Sequence, residues 1–161
     1  TEEFYLPAHE RFCALDAGNA AGARDLAAWL ARVRAAWPQV RIVMVEDGPA
    51  EAVPVGALLH IRAHVRLGDL TPEDVSVQLY IGRVSSSGDI AEARKIQMRD
   101  TGTGAQGARI FEATGVSCSD SGMHGYTVRV LPHHAALPGH EFLPGLITWA
   151  EEDFRAQAAR V

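Results

Sequence analysis

The spacing of apolar residues changes near Pro38, from a helical period to a period of two. Before this proline, large apolar residues recur at steps of three and four positions, which places them on one face of a helix. This apolar stripe consists of Leu26, Trp29, Leu30, Val33 and Trp37. Arg24, Arg32 and Arg34 lie off the stripe. Because Pro38 cannot continue a helix, the pattern predicts a helix that ends there. A shorter helix is predicted over residues 7–15.

After Pro38, short segments alternate apolar and polar residues, which is the pattern of strands with one buried face. In the clearest of them, residues 59–67, aliphatic side chains face one way and histidines and arginines face the other. Further strands are predicted over residues 41–46, 75–81, 96–98, 111–113, 126–130 and 146–150. About seven short strands, separated by turns rich in Gly, Pro and Ser, predict a mainly β fold: an antiparallel β-sandwich preceded by an N-terminal helical segment.

The segment 121–128 resembles the tyrosine corner of immunoglobulin-like (Ig-like) sandwiches. In that motif a tyrosine near the start of the penultimate strand donates its hydroxyl to the upstream backbone, and Tyr126 occupies the corresponding place. We therefore predict an Ig-like sandwich over residues 39–150. It lies between a helical segment at residues 1–38 and a helical or frayed extension at residues 151–161.

Paired carboxylates do not form a predicted acid–base site. Residues 71–74, TPED, predict one helical turn between two strands, because Thr suits the cap, Pro the first helical position and a carboxylate the third. Glu73 and Asp74 are therefore interpreted as a helix start, and nothing in the sequence indicates that they are removed from water. Glu151 and Glu152 lie in a segment that we expect to be exposed.

Nucleophilic catalysis has no support in the sequence either. Residues 85–89, SSSGD, have the composition of a hairpin turn, and the G-x-S-x-G pattern of a nucleophile elbow is absent from the sequence. Asp100, followed by Thr101 and Gly102, is a turn signal. We therefore predict no catalytic residue in this chain.

Residues 102–107, GTGAQG, match the G-x-G-x-x-G pattern of dinucleotide-binding proteins. That motif works only between a parallel strand and a helix whose N-terminus meets the pyrophosphate. Here the following residues predict a short strand at 111–113. The glycines are therefore interpreted as a loop between two strands.

The histidines lack the spacing of a metal site. His60 and His64 share a predicted strand face, but four residues of strand separate them by about 13 Å, whereas zinc–nitrogen bonds are about 2.0–2.1 Å long. Solvated or hydrogen-bonded histidines are the expected state. A metal site through His124, His133 or His140 is left as the alternative.

Net charge, the length of apolar runs and the cysteine spacing limit which partners and which cellular compartment are expected. The 161 residues carry a net charge of −5, which argues against nucleic acid or an anionic membrane as a partner. No apolar run approaches the roughly 20 residues of a membrane span, and no signal peptide is recognised. Cys13 and Cys118 have no C-x-x-C spacing, so a reducing, cytoplasmic location is favoured over the alternative of one long-range disulfide. Thr1 in place of Met indicates a piece of a longer protein.

Several segments together resemble the C-terminal end of bacterial and archaeal α-glucan (glycogen/maltodextrin) phosphorylases. They are FYLPA at 4–8, the helix at 27–37, LGDLTPEDVSVQLYIG at 67–82, GYTVRVLPHH at 125–134 and GLITWA at 145–150. The third and fourth segments are fairly specific, because both their order and their spacing fit. The resemblance covers residues 2–150. It implies that residues 1–38 are the tail of the phosphorylase catalytic part and that the sandwich is a domain appended to it.

The resemblance implies a parent glycosyltransferase of storage-polysaccharide metabolism that moves a glucosyl unit between an α-glucan and phosphate. Such enzymes hold pyridoxal phosphate (PLP) as a Schiff base on a lysine. This chain has fourteen arginines but a single lysine, Lys95, which lies in a predicted strand and lacks the family's lysine motif. A Gly-rich phosphate-binding segment is also missing from the sequence. We therefore expect the chain alone to hold no cofactor and to turn over no glucan.

This interpretation predicts a structural role, either docking on the catalytic part or helping an oligomer assemble. Large apolar stripes rarely stay bare, so residues 2–37 are expected to pack on the sandwich or to self-associate, and we predict self-association.

The alternative is an Ig-like carbohydrate-binding module that tethers the enzyme to α-glucan. Tyr80 is then the candidate contact, because it alternates with Leu79 and Ile81; its other interpretation is a surface aromatic in a cross-strand pair. A free-standing adhesion domain is a third alternative.

Overall fold

The computed structural model describes residues 21–46, 58–85, 90–117, 124–137 and 143–150. Helix α1 covers residues 21–36, and a 3-10 turn at Trp37–Gln39 follows it directly. Pro38 lies inside that turn, so the predicted helix end is confirmed. The helix predicted over 7–15 and the extension at 151–161 lie outside the described residues. Within the described ranges, no helix is long and apolar enough to cross a membrane.

The described residues form eight strands, and every pairing between them is antiparallel. The strands are β1 (Arg41–Glu46), β2 (Leu58–Arg66), β3 (Val75–Val84), β4 (Ile90–Gln97), β5 (Arg99–Thr103), β6 (Arg109–Ser117), β7 (His124–Pro132) and β8 (Thr148–Trp149). The first sheet has the order β1-β2-β6-β5, and the second has the order β4-β3-β7-β8.

The strand order is that of an Ig-like sandwich. When β1 to β8 are named A, B, C, C′, D, E, F and G in chain order, the first sheet becomes A-B-E-D and the second C′-C-F-G. Constant-type Ig domains have A-B-E-D facing C-F-G, so one strand is added here to the second sheet. The predicted Ig-like antiparallel sandwich with a helical segment before it is confirmed. Tyr126 lies on the penultimate strand, β7, as expected.

The inward faces of both sheets and one face of α1 share a single hydrophobic core. Along β2, Ile61, Ala63 and Val65 are buried while the residues between them stay at least partly exposed. In β3 the buried aliphatic positions include Leu79 and Ile81. Burial of these apolar side chains contributes about 25 cal/mol per Å² removed from water, which is the main stabilising effect.

The apolar stripe of α1 belongs to this core. Trp29, Val33 and Trp37 are buried, and Leu26 and Leu30 are partly buried against the same cluster. Of the two outcomes expected for the stripe, the structure has it packed on the chain's own sandwich. Self-association through residues 2–37 stays a prediction, but the stripe does not supply the bare apolar surface on which that prediction depended.

One strand was missed by the sequence analysis. Asp100 to Gly102 was predicted as a turn, but β5 runs through these residues, which makes eight strands instead of about seven. Because β5 is an edge strand with no buried side chain, no apolar alternation marks it. The last predicted strand, residues 146–150, is reduced to the two residues of β8.

Candidate functional site

A buried carboxylate, that of Asp74, links α1 to the sandwich at the start of β3. Asp74 is the last residue of the 3-10 turn Pro72–Asp74, which lies between β2 and β3. Thr71 precedes the turn in an extended conformation and Pro72 opens it, as the TPED sequence predicts. The Asp74 backbone N–H donates to the Thr71 carbonyl oxygen over 3.0 Å, which closes the turn.

Donors from two distant parts of the chain converge on the Asp74 side chain. Trp29 Nε1 donates to Oδ1 over 2.8 Å. Arg32 forms a bidentate pair, with Nη2 to Oδ1 at 2.7 Å and Nη1 to Oδ2 at 2.9 Å. The backbone N–H and the hydroxyl of Thr71 both donate to Oδ2, over 2.9 Å and 2.8 Å. We call these four residues, Asp74, Trp29, Arg32 and Thr71, the Asp74 clamp.

The clamp keeps Asp74 ionised. Hydrogen bonding to the Arg32 guanidinium holds the pKa of the Asp74 carboxyl far below its usual value. Burial raises that pKa by a smaller amount, and the hydrogen bonds from Thr71 and Trp29 lower it further. The hydrogen bond to Asp74 in turn raises the pKa of Arg32. A carboxylate that is fully ionised and surrounded by donors has no proton to give, so the clamp suits a structural task.

The burial of Asp74 corrects the sequence analysis, which treated this carboxylate as solvated. Asp74 is 6% exposed, whereas its neighbour Glu73 is exposed, as expected. The prediction for Asp74 was wrong because its partners Trp29 and Arg32 lie 45 and 42 positions upstream, where local spacing gives no sign of them. Arg32 does lie off the apolar stripe, as predicted, and that polar flank of α1 reaches the carboxylate.

A third part of the chain joins the clamp just after β7. The backbone N–H of His133 donates to the backbone oxygen of Asp74 over 2.8 Å. The ring of His134 lies 4.8 Å from the ring of Trp29, tilted by 49°. The helix, the β2–β3 connection and the segment after β7 therefore meet at one place.

A second cluster lies on the outer face of the second sheet, around the predicted glucan contact Tyr80. Leu79 and Ile81 are buried, whereas Tyr80 is partly exposed, as the alternation predicts. The Tyr80 ring meets the Trp149 ring edge-on, with 5.7 Å between centroids and 87° between planes. The Arg129 guanidinium lies 5.4 Å from each of the two ring centroids. We call Tyr80, Trp149 and Arg129 the aromatic cluster.

Sequence reasoning missed Trp149 and Arg129. A strand was predicted over residues 146–150, but β8 has only two residues, and so short a strand does not show which of its side chains faces outward. Arg129 lies among the alternating residues of β7, where an outward arginine predicts an ordinary solvated side chain. The structure instead buries Arg129 to 8% exposure.

The described histidines on β2 each lie beside a glutamate. His60 Nε2 lies 3.2 Å from Glu112 Oε2, and His64 Nε2 lies 3.0 Å from Glu46 Oε1. In the part of the chain that the structure describes, no group of three or more His, Cys, Asp or Glu residues could hold a metal ion. His140, one of the alternative metal ligands, lies outside that part, as do the two cysteines.

The two segments that were predicted as loops, residues 102–107 and 85–89, both connect paired strands. The G-x-G-x-x-G segment begins within β5 at Gly102 and Thr103, and its residues 104–107 lead to β6, which pairs with β5. A three-residue 3-10 turn, Ala105–Gly107, stands where a dinucleotide site needs a full helix, so the prediction of a loop between strands is confirmed. The pairing of β3 with β4 confirms a hairpin around residues 85–89, of which 86–89 lie outside the described residues.

The tyrosine corner stays a prediction. Tyr126 packs partly buried against the core. Residues 118–123, the upstream segment that its hydroxyl would reach, lie outside the described residues.

The fold and the clamp together define a class: an Ig-like sandwich domain fixed to the helix that precedes it. A family model described as the glycogen phosphorylase C-terminal domain matches residues 37–151, which is more than half of the chain. The chain therefore belongs to the glycogen phosphorylase C-terminal domain family, and the resemblance drawn from the sequence is confirmed.

Individual relatives agree with this assignment. The chain is 38% identical over 150 residues to a glycogen phosphorylase of Mycobacterium bovis and 37% identical over 150 residues to one of Mycobacterium tuberculosis. It is 29% identical over 151 residues to a maltodextrin phosphorylase of Thermococcus litoralis. Each alignment covers 92% of this chain, so the similarity extends beyond residues 37–151. The chain spans 17% of the length of these relatives.

Proposed function

We propose that this chain is the non-catalytic C-terminal part of a cytoplasmic α-glucan phosphorylase and that its role is structural. The names of the relatives, glycogen phosphorylase and maltodextrin phosphorylase, support a phosphorylase parent. As the resemblance implies, the parent is proposed to be a PLP-dependent glycosyltransferase of storage-polysaccharide metabolism. The partner of the chain is then the remainder of the phosphorylase. The net charge of −5 speaks against nucleic acid or a membrane as a further partner.

The observation that carries the structural role is the Asp74 clamp. The family match begins at residue 37, yet α1 precedes it and contributes Trp29 and Val33 to the core of the sandwich. The clamp adds a bidentate ion pair between that helix and the β2–β3 connection. A helix that is fixed by both packing and charge holds the sandwich in one orientation relative to that helix.

The described residues do not fit a PLP site. Lys95 is the single lysine of the chain, and it lies exposed on β4, an edge strand of the second sheet. The glycines of residues 102–107 belong to a hairpin of the first sheet, so they do not flank Lys95. This separation supports the proposal that the lysine and the phosphate-binding groups of the parent lie elsewhere in the phosphorylase.

Two measurements test the proposal. The 161-residue chain, mixed with PLP and a maltodextrin, is expected to give no Lys95-dependent Schiff-base absorbance and no glucose 1-phosphate. In the intact phosphorylase, Asp74→Asn is expected to shorten the half-life of activity on heating while leaving kcat and KM unchanged, with Glu73→Gln as the matched control. Turnover by the chain alone, or a fall in kcat without any loss of thermal stability, would contradict the structural role.

Assembly of an oligomer through residues 2–37 is the other structural role, and sedimentation of the 161-residue chain tests it. A dimer that is lost on deleting residues 2–20 would support assembly. A monomer at all concentrations would leave docking on the phosphorylase as the role.

A second candidate function is binding of α-glucan, and the aromatic cluster favours it. Tyr80 lies on the outer face of the second sheet beside Trp149, whose side chain is 41% exposed. Aromatic rings held on a sheet face suit the flat apolar faces of sugar rings. This function is compatible with the structural role, because the cluster and the clamp use different residues.

A further inference from the structure

We infer that Trp149 is the stacking surface of an α-glucan site on the outer face of the second sheet, and that Tyr80 and Arg129 position its ring. This inference rests on the second candidate function above. It assigns the direct contact to Trp149 in place of Tyr80.

The Trp149 ring is held from one side. Gln78 Oε1 accepts hydrogen bonds from Arg129 Nε over 3.1 Å and from Nη2 over 2.9 Å, which fixes the guanidinium. That guanidinium lies 5.4 Å from the centroid of the Trp149 ring. The edge-on contact with Tyr80 adds a second support. These attractions order the indole before any ligand arrives, so binding loses less side-chain entropy.

The backbone around Trp149 is fixed as well. Trp149 pairs with Arg129 across β8 and β7. The N–H of Ala150 donates to the Val128 carbonyl oxygen over 2.9 Å, which ties down the end of β8. Trp149 is 41% exposed, and because its backbone is fixed in a strand, its ring is held in one position where a ligand can contact it.

The surroundings of Trp149 suit a sugar. A glucosyl ring has an apolar C–H face that an indole can cover and a rim of hydroxyl groups that need hydrogen-bond partners. Thr127 and Lys95 are the cross-strand neighbours of Tyr80 in β7 and β4, and both carry polar groups on this outer face. Neighbouring strands lie about 4.8 Å apart, so Thr127 on β7 is one strand from Trp149, whereas Lys95 is three strands away, about 14 Å across the sheet, and is reached only by an oligosaccharide of several sugar rings.

Tyr80 itself is less suited to direct stacking. Its ring stands at 87° to the Trp149 ring, so the two rings do not make one flat surface. It is also only partly exposed, while Trp149 is 41% exposed. Tyr80 therefore acts through Trp149.

The exposed apolar surface favours a sugar over a protein partner. Among the described residues, the large exposed apolar side chains of the β8 edge are Trp149 and Ile147. A stable protein interface buries about 800 Å² on each partner around an apolar centre. One indole and one isoleucine make a small apolar patch with polar neighbours, which matches a sugar ring better.

Two measurements on the 161-residue chain test the site. In native gels cast with glycogen, the chain is expected to be retarded, and Trp149→Ala is expected to weaken the apparent affinity by about tenfold. Ile147→Ala is the matched control on the same edge and is expected to leave retardation unchanged.

Maltoheptaose is expected to protect tryptophan fluorescence from acrylamide quenching, because Trp149 is exposed while Trp29 and Trp37 are buried. That protection is expected to vanish in Trp149→Phe.

Acrylamide quenching of Trp149 in the absence of ligand tests whether Tyr80 and Arg129 position its ring. Tyr80→Ala and Arg129→Gln are expected to increase acrylamide quenching of Trp149 without ligand and to weaken glycogen retardation less than Trp149→Ala does. A chain that glycogen does not retard, or retardation that Trp149→Ala leaves intact, would overturn the site. A loss of thermal stability of the intact phosphorylase in Trp149→Ala, with glycogen binding unchanged, would also overturn it by making this surface a contact with the rest of the protein. Each of these outcomes leaves the structural role to be judged by the Asp74→Asn experiment.

Discussion

Asp74 is expected to affect stability more than the exposed carboxylate of its neighbour Glu73, because Asp74 is a charge removed from water. Such a charge is tolerated only while its donors stay in place, since breaking a buried ion pair leaves an uncompensated charge. The Arg32 side chain is 49% exposed, so water screens part of the ion pair. The hydrogen bonds from Trp29 and Thr71 therefore matter alongside the charge.

Replacing this carboxylate tests the clamp at neutral pH. Asp74→Asn is expected to lower the free energy of unfolding by about 2–3 kcal/mol, because the amide offers one acceptor oxygen and turns its own donors toward Arg32 or Trp29. Urea titration of the chain measures the loss. Glu73→Gln, at the exposed neighbour, is expected to change stability by no more than about 0.5 kcal/mol. Equal losses in the two variants would refute the clamp.

The same carboxyl makes stability depend on pH in acid. In the folded chain the pKa of Asp74 lies below its ordinary value of 3.8, so the clamp is fully stabilising above the unfolded value and weakens as pH falls toward the folded one. The stability difference between the chain and Asp74→Asn is therefore expected to be constant above about pH 5 and to shrink below about pH 4. Urea titrations at a series of pH values measure this, and a difference that is unchanged at about pH 3 would count against the assignment.

Trp29 and Trp37 provide a matched pair of buried indoles. Trp29 Nε1 donates to Asp74, whereas Trp37 Nε1 is buried with no hydrogen-bond partner among the described residues. Both Trp→Phe changes remove similar volume, but only Trp29→Phe removes a hydrogen bond to a charged group. Trp29→Phe is expected to cost about 1–2 kcal/mol more than Trp37→Phe by urea titration. A greater cost at Trp37 would mean that its N–H is satisfied.

At the scale of elements, the turn after β2 is fitted closely to the turn after α1. Gly68 has a φ of +60°, and a Cβ atom there would lie 2.8 Å from both Cβ and Oε1 of Gln39. Gly115, on β6, has a similar φ of +70° but open space around it. A Cβ atom would therefore meet positive-φ strain at both positions, but it would meet a close neighbour only at Gly68.

That difference gives a test of the helix–sandwich contact. Gly115→Ala is expected to destabilise the chain by about 1 kcal/mol from positive-φ strain alone. Gly68→Ala is expected to cost about 1–2 kcal/mol more, because Gln39 must move away. Thermal unfolding of both variants measures the difference. If the two variants unfold alike, the close contact between these turns is not part of the folded state.

Periodicity predicted the elements that bury one face and failed where no face is buried. The strands with strong alternation, β2, β3 and β7, were placed well because period-two burial leaves a direct trace in the sequence. The edge strand β5 left none, since all its side chains remain at least partly exposed. The strand predicted over residues 146–150 does include β8, but its two paired residues do not show which side chain faces outward, so Trp149 was overlooked as a contact.

The candidate site was harder to predict than the fold because its contacts are long-range. TPED correctly predicted a capped turn, but the burial of Asp74 depends on Trp29 and Arg32, more than forty positions upstream. The position of Arg129 likewise depends on Gln78, fifty-one positions away. Local sequence patterns describe how a segment folds, and they carry no information on which distant segment will supply a hydrogen-bond partner.

At the scale of the whole molecule, the hydrophobic core begins earlier in the chain than the family match does. The match begins at residue 37, while the hydrophobic core begins on α1 with Trp29. Removing the helix would therefore expose apolar surface of the sandwich and leave Asp74 without two of its donors. The central claim is that α1 and the sandwich unfold as one cooperative unit.

Native-state hydrogen exchange of the 161-residue chain tests that claim most directly. The amides of Val33 and Ala36 in α1 are expected to open with a free energy within about 1 kcal/mol of the Leu79 and Val128 amides in the central strands, with the same dependence on urea. In Asp74→Asn, both sets are expected to shift together. Helix amides that open at much lower free energy and independently of urea would contradict the account, because α1 would then be detaching while the sandwich stays folded.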